Sequence, residues 1–473
     1  LSVKSTLIIY IRYAFSADAE PVTMLLDLVE LESKTAQSIY DVLISVLSKH
    51  GLTAEVLARR WLCLTTDGCS TMLGKKGGLH TLVKSKYPNV LSWHCAAHRL
   101  ELGVADALKS VNATNHFKSF IDELHKLYSM SPKNQAELEK VSGKLGEELA
   151  KIGRVFTVRW VASSYRAVHA VWKSYDALAE HFLLASADQK RSSSEREKFK
   201  GLLKHLLSVD FVYGMCVMLD TLSELSTLSL DLQSNSISIT EANTKMKLAC
   251  RSLTSLKTKP GPFEQKMESK FSNHALKAHV KGITPIPKSQ FIQAIVDSLN
   301  SRMFSAANSD SLFYNQLVSA LTILNPSTWS PANLDDITFG DKSISFLCET
   351  FRLGDKTALV GKFREFVDSG GRRVDLVGAI TSAVSVIAVS SAECERGFRA
   401  MNGIMTKYRA SMKTETLSSL LFIQTACPPQ ELYAPVAQEH AKIWIRTGRN
   451  SAIESSSMAK QKHDWSKDEK KGL

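Results

Sequence analysis

A chain of 473 residues with 44% hydrophobic and 8% aromatic content is a folded protein with room for about two or three domains, not a disordered one. No apolar run approaches the roughly 18 residues of a membrane helix, since even Val377 to Val389 is broken by small polar residues, so a soluble protein without a membrane partner is expected. The net charge of +12 and pI near 9.2 favour polyanionic partners such as nucleic acid, and eight cysteines without a CxxC pair favour a reducing intracellular compartment over a disulfide framework.

In chain order, "STLIIYIRYAF" (Ser5 to Phe15) and "TMLLDLVEL" (Thr23 to Leu31) are β-branched and apolar around a turn-like "SADAEP", which predicts an antiparallel hairpin. The period then changes: Ala36, Ile39, Tyr40, Leu43, Val46 and Leu47 follow helical spacing, and Gly51 supplies the stop. Short strands are predicted in "RRWLCLTTDG" (Arg59 to Gly68) and "NVLSWHC" (Asn89 to Cys95), the second running into the helix "AAHRLELGVADALKSV". Strands alternating with helices imply an α/β layer whose strand ends carry loops.

From Asn115 to Val280 the pattern is helical, with heptad-like spacing at Phe211, Met215, Met218, Leu222, Leu225 and Leu232 that predicts a bundle core. The Ser-rich, basic stretch Ala185 to His205 reads as a solvated loop entering a helix. "KTKPGPF", "GITPIPKS" and "LNPSTWSPANLDD" read as connections. Helices return from Ser343, and the polar tail from Ser451 to Leu473 lacks a core face and is expected to be disordered.

Four groups of residues invite chemistry. Asp67 closes a strand and is followed by Gly68, which permits close approach; converging strand-end carboxylates are how polynucleotidyl transferases hold two Mg²⁺ ions, although a single such Asp is more often a turn or helix cap. Cys95 and His98 sit one helical turn apart, but without the further ligands a zinc site requires they suit a buried hydrogen-bonding element. Arg159 and Trp160 form an "RW" at the start of a helix. "SSAECERGF" places Glu393, Cys394, Glu395 and Arg396 directly after an apolar run, where an unpaired carboxylate is costly.

The order hairpin, helix, "TTDG", "WHCAAHRLEL", "RW", long helical segment, "SSAECERGF" and "MNGIMTKYRASMKTETLSSLLFI" resembles the hAT (hobo, Activator, Tam3) superfamily of DNA transposases and the host genes descended from them, over Leu1 to Thr425. The resemblance implies an α/β RNase H-like core (1–175) interrupted by a large all-α insertion domain (176–342). It further implies a segment that completes the core and carries C-terminal dimerisation helices (343–450), followed by the basic tail (451–473). It matches Asp67 to the second catalytic acid and Glu395, beside Arg396, to the third, with Glu393 the lesser match; these two acids would bind Mg²⁺ or Mn²⁺. Cys95, His98, Arg159, Trp160 and Arg396 match motifs near that site, and Leu417, Leu420, Leu421 and Ile423 fall in the dimerisation segment.

In the family the first acid precedes the hairpin by a few residues, and this sequence starts after that point, so a fragment lacking that Asp and the N-terminal zinc-binding DNA-recognition module is expected. Ala388 and Arg399 stand where the family often has Pro and Ser, drift that fits a domesticated gene. The resulting expectation is a nuclear, transposase-derived protein that binds DNA and forms at least a dimer without cleaving DNA as this chain. An active transposase, given the upstream acid, and an interaction scaffold without DNA affinity are the alternatives.

Overall fold

The computed structural model describes residues 5–16, 19–111, 115–153, 160–278, 280–303, 309–406, 409, 412–426, 439 and 442, with the side chains of 115, 160, 309–312 and 426 excepted. Arg159 and the tail 451–473 lie outside the described residues.

Strands β1 (Ser5–Tyr13) and β2 (Val22–Leu31) form the expected antiparallel hairpin. Its register slips between Ile9, opposite Asp27, and Tyr10, opposite Leu25, leaving Leu26 as the extra residue of a bulge. The slip lets Leu25 and Leu28, three apart, both join Ile8 in one small core with Leu417 and Leu421. Ile9 lies in a second small core with Ile39, Leu43 and Leu57. The hairpin is therefore apolar on both faces, which explains its near-continuous apolar sequence.

Helices α1 (Ala36–Lys49) and α2 (Ala54–Arg60) lead to β3 (Cys63–Thr66). Both helices are started by a threonine hydroxyl, Thr35 and Thr53, accepting from the amide three residues on. After α3 (Ser70–Leu73) and α4 (Leu79–Lys86), β4 (Leu91–His94) pairs parallel to β3 and runs into α5 (Ala96–Ser110). Among the described residues the α/β part thus holds two separate two-stranded sheets, β1–β2 and β3–β4, rather than one continuous layer.

The rest is helical. Helices α6 (Asn115–Ser129), α7 (Pro132–Leu145), α8 (Trp160–Lys173), α9 (Tyr175–Ala187), α10 (Ser193–Leu206), α11 (Val209–Leu232) and α12 (Ile239–Leu256) are followed by the short α13 (Pro262–Gln265) and α14 (Met267–Phe271). Then come α15 (Lys288–Met303), α16 (Ser309–Thr322), α17 (Pro331–Leu334), α18 (Asp341–Phe351), α19 (Lys356–Asp368), α20 (Gly378–Ser385), α21 (Ala392–Ile404) and α22 (Thr414–Ala426).

The heptad residues Phe211, Met215, Met218, Leu222, Leu225 and Leu232 are all buried on α11, the central helix of a core that runs from Trp93 to Val389. The solvated loop expected at 185–205 shrinks to residues 188–192, and within these Arg191 is buried and pairs with Glu137. Ser192 and Glu195 form a reciprocal capping box that starts α10 within the Ser-rich run. No helix of the described residues is long and apolar enough to cross a membrane.

Candidate functional site

Because β3 and β4 are parallel, their C-terminal ends lie at one end of the pair, and the residues that follow them meet there. Asp67 follows β3; Cys95 follows β4 and caps α5. The Cys95 amide donates to the Thr66 carbonyl at 2.9 Å. Its thiol sulfur accepts from the His98 amide at 3.4 Å and from the Ser391 amide at 3.3 Å. Ala388 accepts from the Thr65 hydroxyl at 2.9 Å, and Val389 from the Trp93 indole at 3.2 Å and the Ala96 amide at 3.0 Å. A segment almost 300 positions downstream is thereby laid against the strand ends, and α21, which carries Glu395, begins at the same place.

Asp67 is exposed, and its Oδ1 accepts from the Cys69 amide at 3.3 Å, an Asx-type turn that leads into α3. The neighbour that requires Gly68 is an imidazole: a Cβ there would sit 2.4 Å from His94 Nε2 and 3.2 Å from His98 Cδ2. The His94 and His98 rings are 5.7 Å apart. Burial, aided by Arg99 and His98, pushes His94 down to about 3, so it is neutral. Cys95 is buried and engaged as a hydrogen-bond acceptor, the role its isolated spacing suggests.

His80, on α4, bridges the two strands, with Nε2 2.8 Å from the Thr66 hydroxyl and Nδ1 on the Ser92 hydroxyl; burial, with Lys84 second, pushes it down to about 4. The sequence reading did not pick out His80 or His94. For His94 the only signal was a histidine closing a strand, and His80, on a helix between the two strands, had none.

On α21 the two acids, two residues apart, project about 200° apart around the axis. Glu393 lines a cleft and is held by Arg396, with Nη2 to Oε1 at 2.9 Å and Nε to Oε2 at 3.1 Å. Arg396 also reaches the Gln233 carbonyl at 3.3 Å and the Asn235 side chain, tying α21 to the α11–α12 turn. Arg12 of β1 reaches the same turn, donating to the Asn235 carbonyl at 2.8 Å and to Ser385 at 2.9 Å. Burial and the nearby Glu393 raise Tyr10 to about 12. Glu395 is half-buried on the other side of the helix.

The cleft, of about 700 Å³, separates the two sheets. Consecutive residues Ile9 to Ala14 of one edge and Cys63 to Thr65 of the other line it, so backbone edges border it, not only one face of each strand. Within the described residues β1 pairs only with β2, and β3 only with β4. Asp27 of β2 faces away into its own node: its carboxylate accepts from the Leu28 amide at 2.8 Å, Ser418 at 2.9 Å and Lys49 at 3.2 Å.

Trp160 opens α8, whose Val161 amide donates to Glu101 of α5 at 3.1 Å, so the start of α8 adjoins the helix bearing His98. On α22, Leu417 and Leu421 are buried against Ile8, Leu25 and Leu28, Leu420 is half-buried, and Ile423 is 52% exposed beside the 40% exposed Phe422. The residues matched to the acids do not by themselves make a Mg²⁺ or Mn²⁺ site. Among the described residues no three His, Cys, Asp or Glu side chains gather to hold a cation. No protein-family model matches the chain.

Proposed function

We propose that this is a transposase-derived nuclear protein with an RNase H-like core, which binds DNA and self-associates but does not cut DNA as this chain. The observation that carries the reading is the return of Ala388–Ser391 to the ends of β3 and β4, which sets the Glu395 helix beside the Asp67 and Cys95–His98 turns across almost 300 positions. The net charge of +12 supports a polyanionic partner. The test is fluorescence anisotropy with labelled duplex DNA over a salt series. Affinity that falls steeply with salt is expected, and weak, salt-insensitive binding would favour the scaffold alternative.

A second reading, an active metal-dependent transposase, is favoured by the cleft between β1 and β3. An extended segment seated there would find on each side a backbone edge that no strand of the described residues pairs, although the Trp61 indole already holds the Cys63 carbonyl, and could join the two sheets into one. A carboxylate on such a strand would arrive near the end that carries Asp67. Under this reading, protein extended upstream of Leu1 cleaves DNA with Mn²⁺ or Mg²⁺ and its Asp67→Ala form does not; equal cleavage by both would end it.

A further inference from the structure

The charge of this protein is unevenly spread. From Lys245 to Lys288 the chain carries nine lysines and Arg251 against two acids, Glu264 and Glu268. Several of these cations are engaged: Lys245 pairs with Asp231 at 3.2 Å, Lys270 with Asp176 at 2.9 Å, Lys288 with Glu264, and Lys257 bonds Gln293. Lys247, Arg251 and Lys259 are exposed and form no ion pair among the described residues.

Helix α12 arranges them. Ala242, Met246, Ala249 and Leu253 bury its inner face in the bundle. Thr244, Lys247, Arg251 and Ser255 recur every three or four residues on its exposed face, with Lys259 in the turn beyond. The helix has one acid, Glu241, which is occupied in the capping box with Ser238. The row therefore has no carboxylate within it, and Lys247 and Arg251 stand about 6 Å apart along the axis.

We propose that this outer face of α12 is a docking surface for the phosphate backbone of duplex DNA. A membrane surface is a poor occupant, because the apolar face that would have to enter lipid is already in the bundle core. An acidic polypeptide is the competing partner. The observation that favours DNA is the composition of the row, cations and hydroxyls along a rigid helix with one exposed apolar residue, Leu248, beside them, which suits contacts that position a backbone without reading bases.

The proposal rests on the DNA-binding reading above, and its test separates the two. The full chain, its K247Q/R251Q/K259Q variant and a K140Q/K144Q control on the exposed face of α7 are titrated with a labelled duplex over a salt series, with thermal melts to show equal folding. The row variant should lose at least about tenfold in affinity near 0.15 M salt, and its log–log salt slope should fall by about three, one counterion-release step per lost phosphate contact. The control should bind as the parent does. A row variant that binds like the parent overturns the docking surface and leaves DNA binding standing. A parent that does not bind overturns both, and so does a labelled duplex displaced by polyglutamate but not by unlabelled DNA, which would assign the row to an acidic protein.

Discussion

The helical part and the α/β part of this chain hold together by different means. Around α11 the core is continuous from Trp93 to Val389, and most of α11 is buried along its whole length. Around β1–β2 the apolar clusters are small, β3–β4 touches the large core on one side only, through Trp93 and Leu91, and polar nodes join the elements: His80 between Thr66 and Ser92, Asp27 between Ser418 and Lys49, and Cys95 beneath Ser391. A continuous core tolerates the loss of any one polar contact, whereas small clusters on two unmerged sheets depend on each node. Substitutions in the first part should act through volume, and those in the second through hydrogen bonding and protonation.

The largest effect is expected where volume alone matters. Leu222 is fully buried at the centre of α11, and Leu222→Ala should cost about 3–5 kcal/mol, read as a shift of the urea midpoint. A cost under about 1 kcal/mol would show that the core around α11 is loose and would break the contrast.

Protonation should act next. His80 is neutral in the folded protein, pushed down to about 4 by burial, against 6.5 in the unfolded chain. As pH falls below 6.5 the unfolded state takes up the proton first, so the stability tied to this residue is lost between pH 6.5 and about 4 and amounts to at most about 3 kcal/mol. His94 and His205 are shifted in the same direction, so His80→Gln should reduce the acid-induced loss without abolishing it. Urea titrations at pH 7, 5.5 and 4 that superimpose for parent and variant would remove His80 from the account.

Asp27 sharpens the same contrast with the same sign of pH dependence, because here the folded protein favours the charged form and there it disfavours it. Burial would raise its carboxyl, but hydrogen bonds from Ser418, Lys49 and the Leu28 amide outweigh that and hold it below the usual carboxylate range. Its stabilisation is therefore full above pH 3.8 and disappears as pH drops through the lowered folded value. Asp27→Asn should cost about 2 kcal/mol at pH 7, and the gap between variant and parent should close under strongly acidic conditions. A gap independent of pH would mean that shape, not charge, is what the site requires.

The same division governs how much the sequence disclosed. The helical part was legible because burial there depends on local periodicity, and every heptad position of α11 named from spacing is buried. The strands were legible as segments, but their assembly was not. Whether two hairpin strands and two parallel strands merge is decided by backbone edges some 50 residues apart, which no local pattern encodes. The bulge that sends Leu25 and Leu28 to one side was likewise hidden, because it breaks the alternation by which strand faces are read. At the candidate site, Asp67 and Cys95 could be placed at strand ends from spacing, whereas the meeting of Ser391 with Cys95 was suggested only by the family resemblance. Glu393 drew less notice than Glu395, although its i,i+3 spacing to Arg396 marked an ion pair and it is the acid that lines the cleft.

The smallest effect on stability should come from the outer face of α22, where the two means of cohesion meet. Leu417 and Leu421 face inward and close the core of the hairpin, so of the four residues matched to dimerisation these two are committed within the chain. Ile423 is 52% exposed next to Phe422, and a charge there meets water, not a packed neighbour. Ile423→Asp should therefore change the urea midpoint by no more than about 0.5 kcal/mol, while Leu421→Asp, at a fully buried position, should unfold the hairpin region. If the outer face of α22 is where a second copy docks, Ile423→Asp lowers the mass measured by light scattering while leaving the melt intact, because exposed apolar side chains contribute to association without contributing to folding. A mass unchanged by Ile423→Asp at concentrations where the parent is dimeric would place self-association elsewhere and leave α22 as a purely internal brace for β2.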